Sequence, residues 1–447
     1  MYDKEFKAIF EKAKDKVDDI EILLSSGKSF SVRIHNQNVE SFDYADSIGI
    51  GIRIIKDGRV GYAYTEELSD EAFSMIIKEA VVNSETVENL EPVFFTNFPD
   101  LEQKLDIYSE ELGDVKVEAK IDIAKKLESL ALAADKRIFN VPYAAYSDGY
   151  GYAKIANSKG LNKESKTNHC VAFLMVLAQE AEDKKSGRDF IITRYFQKID
   201  PQKLVNKAVK QAIDLLNAEK PDTGQYPVVI NNETMGALLS TFTGIFSAKN
   251  VQEGKSLLKG RIGQTIANSI VTIIDDGLHP DGMSTAPFDS EGHQSQKTLL
   301  VDKGVLTSFL HNSVTATIDK TKSTGNASRS YKSSLTVSPT NFVLQSGDFS
   351  KEDLLKSHDR VIELVSLQGL HSGANSISGD FSLAAEGFLY ENGIKKSGLS
   401  DFTVSGNFFQ ILQDIEKIGN DEVFNMQSCC SPSVLVKKLA ISSKSKG

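Results

Sequence analysis

Cysteine is scarce in this chain, with three in 447 residues: Cys170, Cys429 and Cys430. An odd number without spaced pairs supplies no disulfide framework, which points to a reducing compartment rather than secretion. Long apolar runs are missing too. No stretch approaches the roughly 20 apolar residues that a membrane-spanning helix needs. The opening MYDKEFKAIFEKAKDKV is charged throughout and holds no apolar core of a secretory leader. Positive charge is in deficit, 51 Lys and Arg against 61 Asp and Glu, for a net charge of -10. Such a balance suits phosphate neutralisation poorly and argues against direct nucleic-acid binding. The absences predict a cytoplasmic protein without membrane contact.

What is present is enough chain to bury a large core in two or three domains. The patterning predicts an α+β protein: N-terminal α/β domains (1–111 and 112–222) followed by a large β-rich C-terminal domain (223–447) with an embedded helix. In the first domain, Tyr2, Phe6, Ile9, Phe10, Ala13 and Val17 recur at helical spacing. Strands are expected over 19–26, 30–42, 48–55 and 60–64, the last two joined by a hairpin through Asp57-Gly58. Ser69 is placed to cap a following helix. Past it lies a connection containing Pro92 and Pro99. Gly49 and Gly51 lack the third glycine of a nucleotide fingerprint and read as ordinary strand glycines. In the second domain the spacing predicts a helix over 117–134. Strands follow over 138–145, 152–156, 170–178 and 190–196, with a turn at Asn157-Ser158-Lys159-Gly160. Asp200-Pro201 opens a further helix carrying Leu204 to Leu216. His169 beside Cys170 has no further ligands at metal spacing and reads as a turn histidine next to a buried cysteine.

The third domain is the informative one. Pro227 to Ile230 reads as a strand, and Asn232 as the cap of a helix bearing Met235, Leu238, Leu239, Phe242 and Ile245. Asp275-Asp276-Gly277, Asp289-Ser290-Glu291-Gly292 and Asp302-Lys303-Gly304 are expected in turns between strands. Their carboxylates, with His279 and His293, could converge on a site or simply be acidic turns. From Val365 to Asn407 apolar and small residues alternate, glycines recur, and Asn392-Gly393 signals a hairpin. Gly373 and Gly379 are not spaced as a phosphate loop and no Lys-Ser/Thr follows, so close backbone approach is the reading.

An ordered series of motifs then carries a resemblance across nearly the whole chain. IDDG…S…PFDSEG…L…KGVL…F (274–309), STG (323–325), LTVSP (335–339), GLHSGANSISGDFSLAAEGFLYENG (369–393), SGN (405–407) and IGND (418–421) resemble the TldD/PmbA proteins, also called modulators of DNA gyrase. GIGIRIIKDGRVGYAYT (49–65) and the turn at 157–160 extend the likeness more weakly. TldD-type members carry HExxxH on a helix, with histidines that bind zinc and a glutamate that can serve as general base. The matching stretch here is 236–245, where Ser240 and Ile245 stand in the histidine positions and Thr241 in that of the glutamate. None of the seven histidines is followed by glutamate. The resemblance is therefore to the TldE/PmbA branch, which lacks the motif. A cysteine near the C-terminus completes the zinc site in TldD proteins; Cys429-Cys430 occupies that region and reads as residual or structural.

By that resemblance the chain is expected to partner a TldD-type zinc-bearing subunit in a chamber for unfolded peptides, with no cofactor of its own and zinc in the partner. Asp289, Glu291, His293, Gly373, Gly379, Asp380 and Cys430 are the candidates for lining the peptide cavity. Two other readings stay open. One is a stand-alone homodimeric peptide-binding or regulatory protein. The other is a self-contained hydrolase using some of Asp275, Asp276, Asp289, Glu291, His293 and Cys430.

Overall fold

The computed structural model describes residues 1–86, 92 and 94–443. Part of the connection expected before Pro99, at 87–91 and 93, lies outside the described residues. Alternation that begins at Asp19 continues to His35 in one strand, β1 (Asp19–His35), which turns into β2 (Asn38–Lys56). The strand expected over 30–42 is thus the end of one strand, a turn and the start of the next. Asn36 and Gln37 make the turn with φ of 50° and 59°, as a type I′ hairpin requires. Glutamine rarely takes that conformation, so the turn left no signal. Glu128 secures it by accepting both backbone N–H groups at 2.7 Å.

Asp57 and Gly58, at φ of 50° and 72°, turn the chain into β3 (Arg59–Thr65). The Ser69 hydroxyl accepts the Ala72 N–H at 3.2 Å and caps the helix Asp70–Thr86. After the helix Val117–Ala134 come β4 (Ile138–Asn157), β5 (Asn162–Glu180) and β6 (Asp183–Thr193). The two strands expected within 138–156 are one, because Gly149 and Gly151 are extended residues in it rather than breaks. All six strands form one antiparallel sheet in the order β3-β2-β1-β4-β5-β6. β1 pairs with β4 from Glu21–Asn157 to Ile34–Ala144, so the first two segments of the chain share a sheet.

One face of that sheet carries two cores. Ile20, Ile22 and Leu24 of β1 pack with Phe6, Ile9, Phe73 and Ile76. Farther along, Phe30, Val32 and Ile34 pack with Leu127, Leu204 and Ala208. Leu204 and Ala208 sit on the helix Pro201–Asp214, capped by Asp200 through the Gln202 and Lys203 N–H groups. Alternation leaves Glu21, Leu23 and Ser25 on the opposite face.

The rest of the chain folds around a third core. Strands Gly224–Ile230, Arg360–Gln368, Asp380–Glu391, Ile394–Asn407 and Val434–Ser443 form a sheet in which Ile394–Asn407 also pairs with Val434–Ser443, closing it into a barrel. A second sheet contains Ile273–Asp276, Lys297–Asp302, Phe342–Leu344 and Cys429–Ser431. Met235, Leu238, Leu239 and Phe242 of the embedded helix Asn232–Phe242 pack with residues of both sheets. Its cap is Asn231, which accepts the Thr234 N–H at 2.9 Å; the expected cap, Asn232, instead donates to the Asp421 carbonyl at 2.6 Å. The hairpin at Asn392-Gly393 has φ of 52° and 75°, as its sequence requires.

Candidate functional site

The embedded helix presents its last turn to the C-terminal strands. The Ser240 hydroxyl donates to the Gly236 carbonyl and accepts from Asn425 Nδ2, both at 2.8 Å. Asn425 Oδ1 in turn accepts the N–H groups of Gln427 and Cys429 at 2.9 Å, so one asparagine orders the loop leading to Cys429. Thr241 is occupied by its own helix, donating to the Ala237 carbonyl at 3.0 Å. Helical hydroxyls commonly back-bond in this way. Beyond it the chain tightens into the 3-10 turn Thr243–Phe246, and Ile245 is 1% exposed within the core. Burial pushes the Cys429 thiol up to about 11 and the Cys430 thiol up to about 12. Cys430 packs with Ile274 and Val343.

These residues do not fit a zinc ion. Ile245 has no donor atom, the Ser240 hydroxyl is held by two partners, and burial of the Cys429 thiol disfavours the thiolate a metal needs. Among the described residues, no group of three or more His, Cys, Asp or Glu side chains could hold a metal.

Asp289, Glu291 and His293 share one loop, and this loop docks on the N-terminal sheet. Asp289 Oδ1 accepts the N–H groups of Glu291 and His293 at 2.9 Å, and its Oδ2 accepts that of Ala327 at 3.0 Å. Burial pushes its carboxyl up and neighbouring Glu291 adds to this, while the three N–H donors work against both. Glu291 Oε2 accepts the Ser313 N–H at 2.9 Å, and Oε1 lies 3.5 Å from Arg53. Arg53 is also 3.0 Å from Glu21, which Arg329 reaches at 2.6 Å. Two arginines and two glutamates, all buried, therefore join the sheet to the C-terminal domain. The His293 ring packs on Phe98, with centroids 4.9 Å apart. Beside the loop is a cavity of about 290 Å³ lined by Leu23, Ser25, Asp289, Asn326 and Arg329 among others.

Asp275 is not in a turn. It is buried in the strand Ile273–Asp276 and accepts from Asn326 Nδ2, the Thr340 N–H and the Thr340 hydroxyl at 2.6, 2.7 and 2.8 Å. Burial raises its carboxyl to about 6 against these hydrogen bonds.

Gly373, Gly379 and Asp380 form a separate group around the base of the Asp380–Asn407 hairpin. Gly379 has φ 84°, and a Cβ there would lie 2.7 Å from the Phe409 ring. Its carbonyl accepts the Phe408 N–H at 2.8 Å. Asp380 accepts from Asn407 Nδ2 and the Ser378 hydroxyl at 2.8 Å, and Asn407 also caps the helix Phe408–Asp414. A Cβ on Gly373 would lie 2.6 Å from the Ser382 carbonyl. The structure thus gathers the candidates into two groups, with Cys430 in neither.

Sequence reasoning missed the partners that matter most to the docked loop. Glu21, Arg53 and Arg329 are buried charges; the first two interrupt apolar strand sequences, and that interruption was the available signal. Gly49 and Gly51 are also more than strand residues. A Cβ at Gly49 would lie 2.1 Å from the Tyr331 ring, and one at Gly51 would lie 2.3 Å from the Tyr331 carbonyl. Their bare backbone seats the 329–334 segment of the C-terminal domain.

The motif series that carries the resemblance therefore falls largely on contacts that build the molecule. Family models described as the PmbA/TldA metallopeptidase domain 1, central domain and C-terminal domain match residues 20–84, 110–216 and 223–443. The chain belongs to the PmbA/TldD family. An uncharacterised protein of Methanocaldococcus jannaschii is 30% identical, covering 94% of this chain and 95% of that one. Metalloprotease PmbA of Escherichia coli O157:H7 is 26% identical, covering 96% of this chain and 94% of its own length. A crystal structure from Thermotoga maritima, named as a modulator of a DNA gyrase, aligns with TM-score 0.92 at 32% identity, covering 99% of this chain and 100% of that chain. The family and its α+β fold are those the sequence predicted, and no described helix is long and apolar enough to cross a membrane.

Proposed function

We propose that this chain is the TldE/PmbA-like subunit, without zinc of its own, of a TldD–TldE-type metallopeptidase complex that processes or degrades unfolded peptides in the cytoplasm. The observation that carries the reading is the state of the motif helix. Ser240 and Thr241 are tied into local hydrogen bonds and Ile245 is core, so the helix that bears ligands in TldD-type relatives serves packing here. Catalytic zinc would come from the partner, and the residues of this chain would contribute walls. Of the cavity candidates, Gly373, Gly379 and Asp380 hold a hairpin end, whereas Asp289, Glu291 and His293 fix the docking of the N-terminal sheet.

The test combines metal analysis with reconstitution. The purified chain should hold no stoichiometric zinc and cleave no unfolded peptide. Mixed with an HExxxH-bearing relative from the same genome, it should form a heterodimer whose cleavage a chelator abolishes. Stoichiometric zinc in this chain, or chelator-sensitive cleavage by it alone, would overturn the proposal. Failure to associate at micromolar concentrations would favour the stand-alone peptide-binding protein.

A further inference from the structure

Between the two cores on its helix-bearing face, the N-terminal sheet holds a cavity of about 670 Å³. Strand register lays out its floor as a grid. Asp46, Lys28, Tyr150 and Asn168 stand side by side across β2, β1, β4 and β5. Ile48, Ser26, Tyr152 and Lys166 form the neighbouring row. Alternation puts all eight on the face that carries the helices, away from the docked loop. Along β1, Leu24 belongs to one core and Phe30 to the other. Ser26 and Lys28 lie between them, and neither closes the gap.

Tyrosines line the walls. Tyr152 is part of one core, and Tyr150 packs against the other. The Tyr2 and Tyr152 ring centroids are 5.8 Å apart. Tyr108 arrives from the connection before the helix Val117–Ala134, and buried Asn168 fixes its place. The Asn168 side chain accepts the Ser109 N–H at 2.9 Å and donates to the Ser109 carbonyl at 2.7 Å. Its backbone N–H donates to the Ile107 carbonyl at 3.3 Å. The Tyr108 and Tyr150 hydroxyls have no hydrogen-bond partner among the described residues, so both are free to donate to a ligand. Charge here is positive, against the trend of a chain at -10. Lys166 has no counter-ion among the described residues, and Lys28 has only the exposed Asp46 at 3.8 Å. Of the acids that act on Tyr152, Asp3 is held by Lys154, and Glu164 accepts the Tyr152 hydroxyl at 2.6 Å. We propose that this cavity binds a small aromatic acid, its flat ring among the tyrosines and its carboxylate or phosphate on Lys166 and Lys28. Rings pack offset or edge-on against tyrosine. A largely apolar cleft with a few placed polar groups is the usual form of a small-molecule site. A neutral ring would leave the lysines unused, and a bare anion would leave the tyrosines so.

The site stands apart from the subunit reading, since its test needs neither zinc nor a second protein. Calorimetric titration of the full chain with 2-naphthoate and with 2-naphthyl phosphate separates the two acidic groups. The better of them should fill one site per chain with a Kd of about 1 mM or tighter. Neutral 2-naphthamide and ringless cyclohexanecarboxylate should each bind about tenfold more weakly or worse. Lys166→Gln should weaken the preferred acid by about tenfold and leave the amide unchanged. Tyr108→Ala should weaken acid and amide alike. Binding of neither acid, equal affinity for acid and amide, or titrations indifferent to both substitutions overturns the proposal. Lys166 is exposed, so should Tyr108→Ala misfold, the Lys166→Gln titrations decide alone.

Discussion

Asp275 shows how a carboxylate can be structural while having the look of chemistry. It is buried, it carries three hydrogen bonds, and its carboxyl is raised to about 6 by burial. Asp275→Ala strands the donors on Asn326 and Thr340, which should cost roughly 3 kcal/mol. The sign of the pH dependence follows from the raised value. A carboxyl that holds its proton more tightly when folded stabilises most below its unfolded value and loses that contribution as pH rises through about 6. The cost of Asp275→Ala should therefore be larger near about pH 4 than near about pH 7. Urea unfolding of both proteins at the two pH values measures this. A larger cost at the higher pH would mean that the donors, not burial, govern the group.

At the scale of elements, the glycines Gly49 and Gly51 decide whether the C-terminal domain can sit on the N-terminal sheet. A methyl group at Gly51 would press on the Tyr331 backbone at 2.3 Å, and backbone yields less readily than a side chain. Gly51→Ala should cost about 1–3 kcal/mol by overpacking and make the 329–334 segment more open to proteolysis. Gly113→Ala, where a Cβ meets nothing within 4 Å, should do neither. Equal digestion of the two variants would refute the seat. Such contacts mark the limit of what the sequence could disclose. Helix 117–134, the turns at Asp57-Gly58 and Asn392-Gly393, and the Asp200 cap were legible because each is set by residues a few positions apart. The Asn36-Gln37 turn was hidden because its stabiliser, Glu128, is remote in sequence. Gly49 and Gly51 look like any strand glycines until Tyr331, from another domain, is brought against them. Ser240 and Ile245 drew notice only through the family resemblance, since no local pattern marks either position. That Asp289 and Glu291 serve a domain joint could not be read, since their partners lie at Ala327, Ser313 and Arg53.

For the whole molecule, the question is what makes two separately cored bodies act as one. The tyrosine seat supplies fit, and the quartet Glu21, Arg53, Glu291 and Arg329 supplies interdependence, because each charge was buried only with its opposites present. Burial works against Arg53, but the carboxylates of Glu21 and Glu291 outweigh it and hold its charge firmly. For Glu21, burial dominates and raises the carboxyl despite Arg53 and Arg329. A balanced quartet is thus costly to break from any side. Arg329→Met leaves two carboxylates sharing one guanidinium, and removing one partner of a buried ion pair costs about 3–5 kcal/mol. That loss falls on the joint rather than on either core. The wild type should melt in one cooperative transition, whereas Arg329→Met should separate into two as the N-terminal sheet and C-terminal barrel unfold on their own terms. Because the charges are shielded from solvent, raising the salt concentration should not reproduce the effect in the wild type. Calorimetry of both proteins at low and high salt decides the matter: a single unshifted transition in Arg329→Met would show that the bodies are held together without the quartet.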